Sequence, residues 1–159
     1  MLKQVMDLLG GRVAPSRSNG AGDVQLAVAA LLVEAARMDS DFDAAERATI
    51  RRLLAARFEL SPEATEQLIA SAEHAVQNAT QLFPFTREVC KRMDPEARAL
   101  VVEMLWKVAY SDGTLDPHED MLVRRVAGLI HVPDRQRATA RQEALAKLAA
   151  RRDPPSATD

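Results

Sequence analysis

Six acidic side chains with a shared spacing are the residues of this chain best suited to chemistry. The segments Asp39–Glu46 and Asp112–Glu119 both follow the pattern DxxxDxxE and begin 73 positions apart. Three carboxylates within eight residues offer the oxygen ligands that Ca²⁺ or Mg²⁺ prefers, and no thiolate or paired imidazole stands nearby to favour zinc or copper. The candidate metal ligands are Asp39, Asp43 and Glu46 in the first segment, and Asp112, Asp116 and Glu119 in the second.

The same acids also have a purely structural interpretation. Asp43 and Asp116 fall where a helix N-cap belongs, and Glu46 and Glu119 come three residues later, so each pair fits a capping box. The first acid of each segment follows a helix C-terminus, where the macrodipole disfavours negative charge, so it needs a backbone N–H, a basic side chain or a cation. A standard EF-hand loop is excluded in the first segment, because Ala44 occupies the place of its turn glycine. Helix caps alone and a cation site both stay open.

Helical elements must position these acids. Apolar residues recur at helical spacing throughout, which predicts an all-α fold. Each acidic segment lies between two apolar helical stretches, and paired arginines follow each segment at the same register. The sequence therefore predicts an internal duplication of a helix, acidic turn, helix unit, at about Val24–Phe58 and Ala97–His131.

Caps and prolines predict where several helices begin. Ser61-Pro62 and Asp94-Pro95 combine an N-cap with a proline in the first turn, Pro117 takes the first position of its helix, and Asp23 is predicted to cap the helix that ends near residue 38. The expected organisation is a short amphipathic helix and flexible loop at 1–22, a helical domain at 23–150 and a disordered tail at 151–159.

The helix after Asp94-Pro95 has the strongest core pattern. Its residues predicted to face the core are Leu100, Val101, Met104, Leu105 and Val108. Trp106 and Tyr110 lie one turn apart on the same helix and lead directly into the second acidic segment. We interpret the two aromatic residues as core, with a partner interface as the alternative for the tryptophan.

Composition excludes several classes of function. The chain has 159 residues, 21 Lys and Arg against 23 Asp and Glu, and a formal net charge of -2, so its overall field favours neither nucleic acid nor an anionic membrane. Cys90 is the single cysteine, which excludes an internal disulfide and is typical of a reducing compartment. No apolar run reaches the length of a membrane span, and Met1–Leu9 lacks the features of a secretory signal. We expect a cytoplasmic protein without stable membrane insertion.

The basic residues predict ion-paired surfaces. Asp43 and Arg47, and likewise Asp120 and Arg124, are spaced i to i+4 on their helices. The last helix is richer in arginine and lysine, but it lacks the interleaved aromatic residues of a nucleic-acid interface and suits an acidic partner equally well. We expect no nucleic-acid binding.

The motifs together resemble those of the bacterial TerB-like tellurite-resistance domain. The pattern at Ala109–Ile130, with a degenerate copy at Ala36–Leu54, carries the resemblance, and Phe85-Thr86-Arg87 looks like the middle of that family. The resemblance covers about Val24–Leu148. It implies a bundle of about seven helices with the acidic turns on one surface, related to the N-terminal domain of a membrane-anchored DnaJ-type co-chaperone. By position it carries over the six acids named above, although Ser40 stands where the first copy usually has glycine.

Together these features predict a noncatalytic module that binds a protein partner, takes a divalent cation at the two acidic turns, and is linked to tellurite or general stress response. The alternative is a metal-independent interaction scaffold or co-chaperone-like adaptor. An enzyme is the least favoured class, because the histidines have no HxxxH or HExxH spacing and no glycine-rich phosphate loop is present. The sequence leaves the oligomeric state and the identity of any partner open.

Overall fold

Seven α-helices account for most of the residues that the computed structural model describes, which are 20–37, 44–79, 81–111 and 117–152. These residues contain no strand, so the predicted all-α bundle is confirmed. The amphipathic segment expected near the N-terminus and the tail from residue 153 lie outside them. The helices are α1 (Gly20–Arg37), α2 (Ala44–Phe58), α3 (Pro62–Asn78), α4 (Phe83–Arg92), α5 (Pro95–Ala109), α6 (Pro117–Leu129) and α7 (Asp134–Arg152).

Helices α1 and α5 form the centre of the bundle. In α1 every residue from Ala27 to Val33 is buried, and in α5 every residue from Val101 to Trp106 is buried. A helix that is buried on all sides must be surrounded by others, and these two pack against each other and against most of the remaining helices. The predicted core pattern of α5 is therefore largely confirmed.

The packing relates two groups of three helices. Helix α1 packs against α2 and α3, while α5 packs against α6 and α7, and in addition α2 contacts α5 and α6 contacts α1. Each acidic segment therefore joins the central helix of its own group to a second helix, and that second helix also contacts the central helix of the other group. Reciprocal contacts of this kind are expected of two copies of one helical unit. The duplication itself stays a prediction.

Predicted helix starts are visible in the hydrogen bonds. The Ser61 hydroxyl accepts from the backbone N–H of Ala64 at 3.1 Å, and the Asp94 carboxylate accepts from that of Ala97 at 2.8 Å. In each case a proline occupies the first turn of the helix. Side-chain capping by Ser61 and Asp94 therefore fixes the starts of α3 and α5 where the sequence placed them.

The ends of α2 and α6 share one turn geometry. Glu59 and His131 have positive φ angles of 52° and 60°. The residue after each, Leu60 or Val132, donates its backbone N–H to a carbonyl five residues earlier, at 3.1 and 2.8 Å. This is the Schellman arrangement of a helix C-terminus, and it sets the same register for the start of α3 and of α7.

Two expectations were wrong: the residue that caps α1, and the burial of Leu100 in the core. Helix α1 begins at Gly20, so Asp23 lies inside its first turn, where a carboxylate complements the helix dipole, and is not the N-cap. Leu100 was expected in the core but is 41% exposed, because it faces an open groove between α5 and α7. No helix among the described residues combines the length and the apolar character needed to cross a membrane.

Candidate functional site

Two of the six candidate ligands belong to the described residues. Glu46 and Glu119 are each the third residue of a helix, α2 or α6, and each is the last residue of its acidic segment. Asp39, Asp43, Asp112 and Asp116 lie outside the described residues, so the capping interactions and ligand roles predicted for them stay predictions. Within the described part of the chain, no group of three histidine, cysteine or acidic side chains is arranged to hold a metal ion.

Glu46 and Glu119 are buried to the same unusual degree. Each is only 2% exposed, and both are among the largest fully buried side chains of the molecule. The sequence placed them correctly at a helix start, where the positive end of the helix dipole favours a carboxylate. It gave no signal of their burial, because burial depends on the contacts of α2 with α5 and of α6 with α1.

Arginines on α2 form an ion-pair network with α3. Arg47 donates to Glu73 at 2.7 Å and to Glu66 at 3.4 Å, and Arg51 donates through Nε to Glu66. The hydrogen bond to Glu73 raises the pKa of Arg47, and the hydrogen bond from Arg51 lowers the pKa of Glu66. These partners lie 15 to 26 residues away in the chain, so local spacing could not identify them.

On α6 the predicted pair is present. Arg124 Nε lies 2.9 Å from the Asp120 carboxylate, as the i to i+4 spacing indicates. Asp43, the predicted partner of Arg47, lies outside the described residues. The two helices that follow the acidic segments thus carry arginines at matching positions but hold them with different acidic partners.

An arginine covers the two aromatic residues at the end of α5. Trp106 is 2% exposed, as predicted, and its ring centroid lies 6.1 Å from that of the half-buried Tyr110. The Arg141 guanidinium lies 5.5 Å from the Trp106 centroid and 5.8 Å from the Tyr110 centroid, within the range of cation–π attraction. Arg141 Nε also donates to the Tyr110 hydroxyl at 2.9 Å. This fixed guanidinium was not predicted, since α7 meets α5 only in the folded chain.

Two lysines interact with a buried glutamate between α5 and α7. Glu103 is 5% exposed, and its carboxylate accepts a hydrogen bond from Lys147 Nζ at 2.7 Å. Burial lowers the pKa of Lys107, one turn further along α5, and the neighbouring positive charges of Lys147, Arg52 and Arg151 lower it further, against the raising effect of Glu103. Lys147 and Lys107 therefore both interact with this one carboxylate.

Comparison with known proteins identifies the family. No curated protein and no solved structure matches the chain. The family model described as "Tellurite resistance protein TerB" matches residues 25–142, nearly the whole described bundle and both acidic segments. That match spans well over half of the chain and agrees with the resemblance of the acidic motifs, and the chain therefore belongs to the TerB family.

Proposed function

We propose that this chain is a noncatalytic binding module that takes a divalent cation, Ca²⁺ or Mg²⁺, at its two acidic helix turns and responds by changing the surface seen by a protein partner. The observation that carries the proposal is the matched burial of Glu46 and Glu119 at the third position of α2 and α6. The family membership adds a link to tellurite resistance.

A carboxylate removed from water must be compensated by charge or hydrogen bonds, and a divalent cation shared with neighbouring carboxylates would add to the compensation that the chain itself supplies. A glutamate that serves only in a capping box can stay at the helix surface and still reach back to its N-cap. Glu46 and Glu119 are instead 98% inaccessible, next to segments that supply two further carboxylates each at the predicted spacing. Carboxylate oxygens of this kind are the ligands of hard divalent cations.

A bound cation has a direct physical route to a partner. It would neutralise the repulsion among the carboxylates of one segment, which share a short stretch of chain. It would also fix the angle between the helices on either side, α1 with α2 or α5 with α6, and change the exposed charge at the turn. Partner recognition would then depend on cation concentration.

Thermal unfolding of chelator-treated protein, with and without millimolar Ca²⁺ or Mg²⁺, tests the cation site. A ligand present at 100 times its dissociation constant stabilises the folded state by about 2.7 kcal/mol, and for a chain of this size each kcal/mol raises the melting temperature by about 2–4 °C. We expect a rise that is lost in the Asp112→Asn, Glu119→Gln double variant. The matched control is Glu63→Gln, which removes an exposed carboxylate from the first turn of α3. An equal rise in all three proteins, or none in the wild type, contradicts the proposal.

We propose a cytoplasmic role because a single cysteine is typical of a reducing compartment. We propose that this role is noncatalytic because the chain offers little for redox chemistry. Direct reduction of tellurite would use reactive thiols or a bound cofactor, and the single cysteine, Cys90, packs half-buried against the core with its Sγ directed to the Leu129 carbonyl at 3.4 Å. A solution assay of tellurite reduction by the purified chain with added thiol tests this point. Turnover above the thiol-only rate would show that the chain is catalytic.

A groove between α5 and α7 supports the alternative of a metal-independent interaction scaffold. Its volume is about 520 Å³; Leu100, Ala99 and Ala140 line it, and Glu96, Glu103 and Glu143 add acidic groups. An apolar floor with an acidic rim suits the apolar face of a basic amphipathic helix. Fluorescence anisotropy of a labelled leucine–lysine helical peptide, measured in chelator, tests this alternative. Saturable binding that Leu100→Glu weakens supports it, while equal binding to that variant contradicts it.

A further inference from the structure

A pocket between α5, α6 and α7 has a composition that neither the acidic turns nor the groove accounts for. Its volume is about 390 Å³, within the ~300–1,000 Å³ range of small-molecule sites. Trp106 forms part of its wall, and Leu145 and Ala138 add apolar surface. The remaining lining residues are polar or charged: Asp120, Arg124, Arg137, Arg141 and Gln142.

Positive charge dominates this pocket. Three guanidinium groups face one lining carboxylate, that of Asp120. Each arginine uses one nitrogen in a specific bond: Arg124 with Asp120 at 2.9 Å, Arg137 with the exposed Asp134 at 3.0 Å, and Arg141 with a tyrosine hydroxyl at 2.9 Å. Since a guanidinium carries five N–H donors, each retains donors for an oxyanion.

The indole ring of Trp106 contributes to the pocket wall, and its ring nitrogen lies beneath that surface. Trp106 Nε1 is buried, and no hydrogen-bond partner for it exists among the described residues. Because that nitrogen has almost no accessible surface, the indole contributes wall to the pocket, and the donors for a ligand come from the arginines.

The equivalent surface of the first three helices shows how Arg51, the counterpart of Arg124, and its neighbour Arg47 are neutralised within the chain. There, Glu66 and Glu73 on α3 hold Arg47 and Arg51 of α2. These glutamates lie seven and fourteen residues after Glu59, the positive-φ residue that ends α2.

Counting the same seven and fourteen residues from His131, the positive-φ residue in the turn after α6, leads to Ala138 and Leu145. Both line the pocket. The positions that supply the neutralising acids in the first group of helices therefore carry apolar side chains in the second, where Asp120 is the one lining carboxylate for Arg124, Arg137 and Arg141.

We propose that this pocket binds a phosphate-type oxyanion, either free or as the phosphate group of a larger molecule. Arg124, Arg137 and Arg141 would bind its oxygens through their paired N–H donors, a geometry that suits phosphate. Arg141 is already fixed by its contacts with the two aromatic rings. Ala138 and Leu145 would contact the organic part of a larger ligand. This site is separate from the cation site proposed above and does not depend on it.

The chain carries its own reporter for this site, since Trp106 is its single tryptophan. Tryptophan fluorescence of the full chain is titrated with inorganic phosphate and, separately, with phenyl phosphate, with ionic strength held constant by sodium chloride. A saturable change with either ligand is expected. Equal affinities identify the free oxyanion as sufficient, and tighter binding of phenyl phosphate identifies an organic phosphate as the preferred source. No saturable change with either ligand overturns the proposal.

Variants separate specific binding from general attraction of anions. Ala138→Glu places on α7 the acid that α3 has at this position, and because Ala138 is exposed we expect the fold to tolerate it. Affinity should fall by about tenfold or more, the scale of one charged hydrogen bond, and Arg124→Gln should act in the same direction. Arg51→Gln, which removes the matching arginine of α2, is the control and should leave affinity unchanged. An affinity that Ala138→Glu does not lower, or that Arg51→Gln lowers equally, would show that the pocket is not the site.

Discussion

The ion pair between Glu103 and Lys147 should respond very differently to loss of its acidic and its basic member. Glu103 is 5% exposed, whereas the Lys147 side chain is 52% exposed, and the Nζ to Oε1 distance is 2.7 Å. Glu103→Gln leaves a lysine that water solvates readily, and the new amide oxygen can still accept its hydrogen bond. Lys147→Met instead leaves a buried carboxylate without its charged donor. Lys147→Met should therefore lower the free energy of unfolding more than Glu103→Gln does.

The magnitudes follow from what each variant leaves behind. A buried polar group that loses its partner costs about 1–3 kcal/mol, and breaking a fully buried ion pair costs about 3–5 kcal/mol. The cost of Lys147→Met should fall in the lower range, about 1–3 kcal/mol, because Lys107 lies one turn from Glu103 and its charge interacts with the same carboxylate. Glu103→Gln should cost less than about 1 kcal/mol, as half-exposed pairs do. The double variant should recover most of the loss.

Urea unfolding of the four proteins measures these free energies as a double-mutant cycle. Lys91→Met, at an exposed position of α4, controls for the general effect of replacing lysine by methionine. If Glu103→Gln is at least as destabilising as Lys147→Met, the burial argument is wrong. A double variant that simply adds the two losses would show that the two side chains act independently.

Three further outcomes are expected. Asp94→Ala should lower the free energy of unfolding by about 1 kcal/mol as a lost N-cap, measured by urea unfolding. Arg51 lowers the pKa of Glu66, so this pair stabilises the fold above the ordinary pKa of 4.5, and the contribution is lost as pH falls from 4.5 through the lowered pKa. In acid unfolding, a Glu66→Gln variant should lose less stability than wild type over that range. Asp116→Ala should cost about 1 kcal/mol as a lost cap, whereas Asp112→Asn should leave metal-free stability nearly unchanged and abolish any calorimetric response to Ca²⁺ or Mg²⁺. If Asp112→Asn unfolds the metal-free domain, the ligand role assigned to that residue is wrong.

Local patterns predicted those features of the fold that a few neighbouring residues determine. The starts of α3, α5 and α6 were correct, because a capping side chain or a proline acts within a single turn. The start of α1 was wrong, because the helix includes Gly20 and Gly22, residues with low helix propensity that a local pattern assigns to a loop.

Features that depend on contacts between distant elements could not be predicted from the sequence. Leu100 follows the helical period of the core but is exposed, since α7 leaves a groove beside it. Arg141 reaches Tyr110 across 31 positions of the chain. For the candidate ligands, spacing placed Glu46 and Glu119 at helix starts, and only the packing of α2 and α6 onto the central helices revealed that both are buried.

The two groups of helices, α1–α3 and α5–α7, have similar residues at the proposed cation sites. They have different residues at the surface where the second group is proposed to bind an anion. Both carry the same acidic spacing and a buried glutamate at the third position of the helix that follows. The surfaces beside those helices diverge, because Glu66 and Glu73 neutralise the arginines of α2, whereas Ala138 and Leu145 leave a positively charged pocket next to Arg124. The two sites should therefore respond independently: Ala138→Glu should weaken phosphate binding and preserve the thermal response to Ca²⁺ or Mg²⁺. Loss of both responses in that one variant would indicate that the sites are coupled through α6.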